Sequence, residues 1–393
     1  MRFETEGRCF VMQRLRIDLI AAARPNFMKV APLFHELHAQ PWCEVRLLHT
    51  GQHYDHNMSK AFFDDLGLPS PDLHLGVGSG SHAVQTANVM LAYETACLAE
   101  RPDLIVVVGD VNATVACALV GTKLHIPVAH LEAGLRSRDR RMPEEINRLV
   151  TDAIADILWT PSPDADENLT AEGVAPEKFT RVGNIMIDSY ELMRERIEAS
   201  GERQRLGLKN HEYAVVTLHR PSNVDEREPL TALVNQLTDM ASRLPLVFPV
   251  HPRTRKNLEA FGLWASLSKA PGVQLVEPLG YVDFMNLVCG ARLTITDSGG
   301  VQEETTYLGI PCLTLRTTTE RPITITEGTN QLVTVSTLGS AVDQILAGHE
   351  AHGRKPELWD GHTASRVAAD IRRRLCVEPP LAAEAVVESG AAV

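Results

Sequence analysis

The chain has no Gly-x-Gly-x-x-Gly turn after its first apolar run and no Walker loop, so dinucleotide redox chemistry and ATP hydrolysis lack the backbone that cradles their phosphates. It also has no Cys-x-x-Cys pair. The seven cysteines (Cys9, Cys43, Cys97, Cys117, Cys289, Cys312, Cys376) are scattered, odd in number and mostly inside apolar runs, which reads as reduced core residues of a cytoplasmic protein. No stretch approaches the roughly 20 apolar residues of a membrane span, and the N-terminus, with Glu4 and Glu6, has no apolar signal core. Positive charge is short too. A formal net charge of −12 argues against a surface that holds nucleic acid or an anionic membrane, so any anionic ligand must be met by local Arg, Lys and backbone groups. His49, His53 and His56 sit on a turn at Gly51 with no strong carboxylate set, and Asp164 with Asp166 follows Ser162-Pro163, where helix capping explains them. No metal and no cofactor are expected.

What is present is a repeated alternation of apolar strand and helix over 393 residues, 44% of them hydrophobic. Leu15 to Ala22, Val45 to Leu48, Leu104 to Val108, Pro127 to Leu131 and Ile157 to Thr160 read as strands. Val30 to Leu37, Ala83 to Ala99, Val115 to Leu124 and a segment opened by Pro143 read as helices between them. A second series follows a charged helix near Tyr190 to Ala199: strands at Tyr213 to Leu218, Leu246 to Val250, Val273 to Val276, Leu293 to Ile295 and Cys312 to Leu315. The pattern predicts an α/β protein of two doubly wound, Rossmann-like domains facing across a cleft. The divisions expected are an N-terminal extension over 1–14, domains over 15–188 and 189–362, a helix over 363–376 packing back on the first domain, and a disordered Pro-, Ala- and Glu-rich tail over 377–393.

The stretch Thr296-Asp297-Ser298-Gly299-Gly300-Val301-Gln302-Glu303-Glu304 has the order strand, glycine turn, helix. Ser298 is expected to cap a helix over Val301 to Leu308, the glycines admit a ligand to the backbone, and the first-turn N–H groups make a seat for phosphate. Glu304, one turn in, is placed to accept hydrogen bonds from a diol such as ribose. Titratable groups recur at strand ends: Arg24, His53, Asp110 and Glu132 in the first half, His219, His251, Ser298 and Arg321 in the second. That is where ligands bind in open α/β sheets. Arg24, Lys29 and Arg321 could neutralise a diphosphate. Asp110, Glu132 and Glu144 gain nothing there and suit proton transfer at a carbon acid or a sugar hydroxyl, unless each is an ion pair with Arg136, Arg138 or Arg148. His219 is the switchable donor to a phosphate or leaving group.

The series Arg24-Pro25 with Lys29, Gly51-Gln52-His53, Gly109-Asp110, His130 to Arg136, Pro143 to Arg148, His219-Arg220, Asp297 to Glu304 and Thr319 to Pro322 resembles the UDP-N-acetylglucosamine 2-epimerases, most closely the bacterial, non-hydrolysing type. The resemblance runs in order from about Leu15 to Leu375. It implies a glycosyltransferase-B-like fold, a homodimer, and interconversion of UDP-GlcNAc and UDP-ManNAc by anti elimination of UDP to 2-acetamidoglucal and re-addition, with UDP-sugar as the sole small-molecule partner. It implies further that Ser298, Gly299, Gly300, Arg24, Lys29, His219 and Arg321 meet the diphosphate, that Glu304 meets the ribose, and that Phe284 and the Leu279 backbone meet the uracil. Asp110, Glu132 and Glu144 would share proton transfer and stabilisation of the sugar, the base being unassigned among them. Gln52, His53, Arg220 and His251 match positions that bind a second, activating UDP-GlcNAc in bacterial members, with Asp55 where a second Gln is usual. The family's Gly-Thr-Arg-Pro-Glu is here Ala22 to Asn26, and its His-Arg-Arg-Glu is His219 to Ser222. A hydrolysing 2-epimerase, an epimerase for a modified UDP-sugar, and a glycosyltransferase on the same fold are the other readings.

Overall fold

The computed structural model describes residues 14–22, 24–51, 63, 66–349 and 353–375, with two short strands at Glu4–Thr5 and Arg8–Cys9; for residues 4, 5, 8, 9, 24 and 25 it describes backbone alone. The first half is a seven-stranded parallel sheet of β1 (Leu15–Ala21), β2 (Cys43–His49), β3 (Leu73–His74), β4 (Leu104–Val108), β5 (Val128–Leu131), β6 (Ile157–Thr160) and β7 (Phe179–Arg181). Its helices are α1 (Arg24–His38), α2 (His82–Ala99), α3 (Asn112–Lys123), α4 (Pro143–Ile154) and α5 (Pro163–Ala171). The strand order is β3-β2-β1-β4-β5-β6-β7. β4 is buried at every position, as a Val-rich run covered on both faces must be.

After α6 (Ile185–Ala199) the second half repeats the plan with six parallel strands: β8 (Ala214–Thr217), β9 (Leu246–Pro249), β10 (Val273–Val276), β11 (Leu293–Thr296), β12 (Cys312–Leu315) and β13 (Asn330–Val333), in the order β10-β9-β8-β11-β12-β13. The larger helices around it are α7 (Arg227–Ala241), α8 (Pro252–Ala260), α9 (Tyr281–Cys289), α10 (Gly299–Leu308) and α11 (Val335–Leu346). Each sheet reverses its strand order once, at β1/β4 and at β8/β11, and a crevice opens at such a point. The two parallel-sheet α/β halves are those expected.

α6 packs on α1 and also on α9 and α10, so it runs between the halves through residue 188. The last helix, α12 (Thr363–Leu375), returns to the first half. It packs on α1, its first N–H groups donate to Asp188 (2.7 Å from Ala364), and Asp370 accepts from Trp159 Nε1 at 2.8 Å. Among the described residues no helix is long and apolar enough to cross a membrane, and Cys43, Cys97, Cys117, Cys289 and Cys312 form no disulfide.

Two expectations about the organising stretch change. The helix starts at Gly299, two residues before Val301, and the Ser298 hydroxyl makes no capping hydrogen bond although the residue stands at the cap position. Asp166, in the first turn of α5, pairs with Arg181 of β7 at 2.6 Å, so its side chain ties that helix to the sheet.

Candidate active site

The ends of β1, β4, β8 and β11 face one cleft of about 1160 Å³ lined by both halves. From the first half Lys29, Asp110 and Glu144 reach it; from the second, His219, Leu279, Phe284, Ser298, Gly299, Gly300, Glu304 and Arg321 do, together with Arg220 and His251. Glu132 is not on its lining and lies behind Lys29. Gln52 and His53 fall outside the described residues, as does the side chain of Arg24.

In the first half one turn of α4 does most of the building. Glu144 is half-buried at the cleft, and Glu145 points the other way, accepting from Ser137 N and Arg138 N at 2.9 Å each. Arg148, one turn on, holds Glu145 at 2.6 Å and also the Asp110 carboxylate. Burial works against the Glu145 charge, yet these donors hold its carboxyl below the usual range. Asp110 is thus in the ion pair with Arg148 that the sequence left open. Glu132 is instead paired with Lys29, which the sequence assigned to the diphosphate. Glu132 sits at φ 72°, a conformation rare for a side-chain-bearing residue, and its other oxygen is buried without a hydrogen-bond partner among the described residues. Gly109 is required beside it: at φ +68 a Cβ there would lie 3.2 Å from Glu132 Oε2 and 3.4 Å from Lys29 Nζ.

In the second half Asp297, fully buried, organises the loop after β8. It accepts from His219 N at 3.0 Å, Arg220 N at 2.9 Å and Asn223 Nδ2 at 3.0 Å, and lies 2.9 Å from His219 Nδ1. Burial pushes its carboxyl up, but the His219 contacts and these bonds hold it below the ordinary value. With Nδ1 so engaged, the other side of the His219 ring is left for a ligand; the ring stands 5.6 Å from that of His251, which burial and His219 push down in pKa. Arg220 donates Nε to the Asp297 carbonyl at 3.0 Å, and it has no carboxylate ion pair among the described residues. Burial, then the charge of Arg316, lowers its pKa, a setting that favours an anionic ligand.

Arg321 is likewise not a free cation. It lies between Glu303, 2.7 Å from Nε, and Glu320, 2.5 Å from Nη1, and burial is outweighed by these acids, which raise its pKa. Its guanidinium packs on the start of α10, where a Cβ at Gly299 would come 2.8 Å from Nη1. The two adjacent glutamates of α10 are both buried, which a solvated pair would not be. Glu303, also on the lining, was not singled out by sequence; Asn184, which caps α6, donates to it at 2.9 Å, tying the second half to the helix between them. Its signal was present only as a second acid one turn after Gly299.

Glu304 has Tyr281 Oη as its donor, at 2.7 Å, and burial raises its pKa to about 8. Ribose hydroxyls arriving as further donors would favour the ionised form. The folded state keeps a proton that the unfolded chain releases above about pH 4.5, so Glu304 lowers stability progressively as pH rises from about 4.5 to about 8. Glu304→Gln is therefore expected to lose less stability than the parent over that range, read from urea midpoints at each pH. Parallel curves would contradict the buried, proton-holding Glu304.

Two doubly wound halves, with strand ends and a glycine helix start converging on one cleft, define a protein of the glycosyltransferase-B-like class. The UDP-N-acetylglucosamine 2-epimerase family profile matches residues 35–372. A UDP-N-acetylglucosamine 2-epimerase of Methanocaldococcus jannaschii is 41% identical over 351 residues, covering 88% of this chain and 94% of the relative. A crystal structure of the M. jannaschii UDP-GlcNAc 2-epimerase in complex with UDP-GlcNAc and UDP superposes with a TM-score of 0.82 at 38% identity, covering 91% of this chain and all of that one. The UDP-2,3-diacetamido-2,3-dideoxy-D-glucuronate 2-epimerase of Pseudomonas aeruginosa is 39% identical over 370 residues, covering 92% of this chain and all of the relative. The chain belongs to the UDP-N-acetylglucosamine 2-epimerase family.

Proposed function

We propose that this chain is a non-hydrolysing UDP-GlcNAc 2-epimerase. The observation that carries the reading is that Asp110 and Glu144 on one half line the same cleft as His219 and the Ser298-Gly299-Gly300 helix start on the other. A carboxylate takes the proton from carbon 2, its electron pair becomes the carbon 1–carbon 2 double bond of 2-acetamidoglucal, and the carbon 1–oxygen bond breaks with its electrons leaving on UDP. Proton return to the opposite face of carbon 2 and attack of the diphosphate oxygen on carbon 1 complete the exchange. The α10 start, His219 and Arg220 meet the leaving diphosphate with N–H donors and charge, supplemented by Arg24, by Lys29, which Glu132 shares, and by Arg321, which Glu303 and Glu320 share. Glu304 takes the ribose, and Phe284 with Leu279 takes the uracil. Glu132, tied to Lys29, acts on the sugar through that pair. Because Arg220 and His251 line this same cleft, a second UDP-GlcNAc bound by them, with Gln52 and His53, would lie beside the first.

The Pseudomonas aeruginosa relative supports a second reading, a UDP-sugar carrying an amide at carbon 3 and a carboxylate at carbon 6. Purified protein offered UDP-GlcNAc and UDP-2,3-diacetamido-2,3-dideoxy-glucuronate separately decides between them: epimer formed from UDP-GlcNAc alone supports the first, and from the glucuronate alone overturns it.

We also propose a cytoplasmic homodimer formed through α2. Its inner face buries Gln85, Val89, Tyr93 and Cys97, while Val84, Leu91 and Leu98, seven residues apart, are 50%, 65% and 71% exposed. A row of apolar side chains at that spacing suits a facing helix. Leu91→Glu with Leu98→Glu is expected to shift the sedimentation mass from two chains to one. An unchanged dimer would place the subunit face elsewhere.

A further inference from the structure

The backbone that carries Asp110 is clamped at two successive carbonyls. His130 Nε2 donates to the Gly109 carbonyl at 2.7 Å, its Nδ1 being held by Asp152 at 2.6 Å. Asn147 Nδ2 donates to the Asp110 carbonyl at 2.8 Å. Asn147 and Arg148 are neighbours on α4, so one turn of this helix fixes Asp110 at its backbone and at its carboxylate. Behind Asn147 stands Asn112, the first residue of α3 and 7% exposed, whose Oδ1 lies 3.3 Å from Asn147 Nδ2. Asn112 Nδ2 donates to Gln85 Oε1 at 2.8 Å, and its amide meets His82 Nδ1, both on α2. A hydrogen-bonded row thus runs from α2 through Asn112 and Asn147 to the peptide of Asp110.

The residue types fit this use. Asparagine carries a donor and an acceptor on one short side chain, whereas an ionised Asp at 147 would have nothing to donate to a carbonyl. The clamp is needed because Gly109, at φ +68, leaves the peptide before Asp110 without the steric restraint a side chain would supply. Asn147 itself is not on the cleft lining.

We propose that Asn147 is a positioning residue for the proton transfer, acting through the Asp110 backbone, with Asn112 as its support. The inference rests on the reading that Asp110 takes part in that transfer. A displacement of a reacting carboxylate by about 1 Å lowers rate by about 100-fold without touching nucleotide contacts made on the other half.

The experiment compares Asn147→Ala and the isosteric Asn147→Asp with the parent, using UDP-GlcNAc and its carbon 2-deuterated form, and measures UDP affinity by calorimetry. In both variants kcat is expected to fall about 10- to 100-fold. KM and the UDP Kd stay unchanged, and the deuterium isotope effect on kcat rises because proton abstraction becomes the slow step. A merely structural role would lower UDP affinity together with kcat and leave the isotope effect where it was. That result, or an unchanged kcat, overturns the inference. Should Asn147→Ala fail to fold, Asn147→Asp decides alone. Turnover retained by Asp110→Asn would sink the acid–base reading itself; an inactive Asp110→Asn beside fully active Asn147 variants would sink only the positioning role.

Discussion

Asp110→Asn is expected to lower kcat by about 10²- to 10⁴-fold while leaving UDP affinity unchanged. Asp110 follows β4 at the switch point of the first sheet, half-buried at the cleft, with Arg148 on its carboxylate. The substitution keeps the size of the side chain and removes its capacity to take a proton. The proposed nucleotide seat is on the other half, at the α10 start and the loop held by Asp297, and no contact there involves Asp110. Steady-state turnover with UDP-GlcNAc, set against UDP titration by calorimetry, separates chemistry from binding. Full activity in the variant would remove Asp110 from the acid–base role, leaving Glu144 and Glu132 for it.

Arg321→Met should destabilise the fold by about 3–5 kcal/mol and abolish measurable UDP binding. Arg321 is 8% exposed and lies between two acids that are themselves buried, Glu303 at 1% and Glu320 at 5%. Methionine fills much of the same volume but removes the guanidinium between the two acids, leaving among the described residues Asn184 on Glu303, and Arg316 and a backbone N–H on Glu320. Breaking one partner out of a buried ionic group is far more damaging than replacing the whole group, because the remaining charge has lost its compensation. Chemical denaturation of parent and variant measures the loss as a shift in midpoint at constant slope. A loss under about 1 kcal/mol would mean that the acids carry protons in the variant and need no cation.

How much of this the sequence revealed depended on whether the signal was local. Strands at Leu104–Val108, Ile157–Thr160 and Cys312–Leu315 were readable to the residue, since apolar runs bounded by turn residues have one use in a covered parallel sheet. Phe179–Arg181 and Asn330–Val333 passed unread: each is a sheet edge with polar residues in it and no apolar run to mark it. The start of α6 at Ile185 was placed five residues late, because its first turn is apolar and lacked the charge pattern used to find the rest. Most of the candidate site was legible from residue type at strand ends, and the cleft gathers the greater part of it. Pairing was not legible. Arg148 is 38 positions from Asp110, Glu132 is 103 from Lys29 and Asn184 is 119 from Glu303, separations at which only the fold says who meets whom. For that reason the acid partners of Lys29 and Arg321, both assigned to the diphosphate from sequence, were not foreseen, and Arg220 emerged as a cleft cation without a carboxylate ion pair among the described residues.

Proton NMR of the purified protein with UDP-GlcNAc in heavy water tests the central claim most directly. Elimination and re-addition predict growth of the UDP-ManNAc anomeric signal, deuterium at carbon 2 of the product, and a sugar still attached to UDP. Free ManNAc with UDP would contradict the non-hydrolysing reading, and epimer formed with hydrogen retained at carbon 2 would contradict exchangeable proton transfer by the cleft carboxylates.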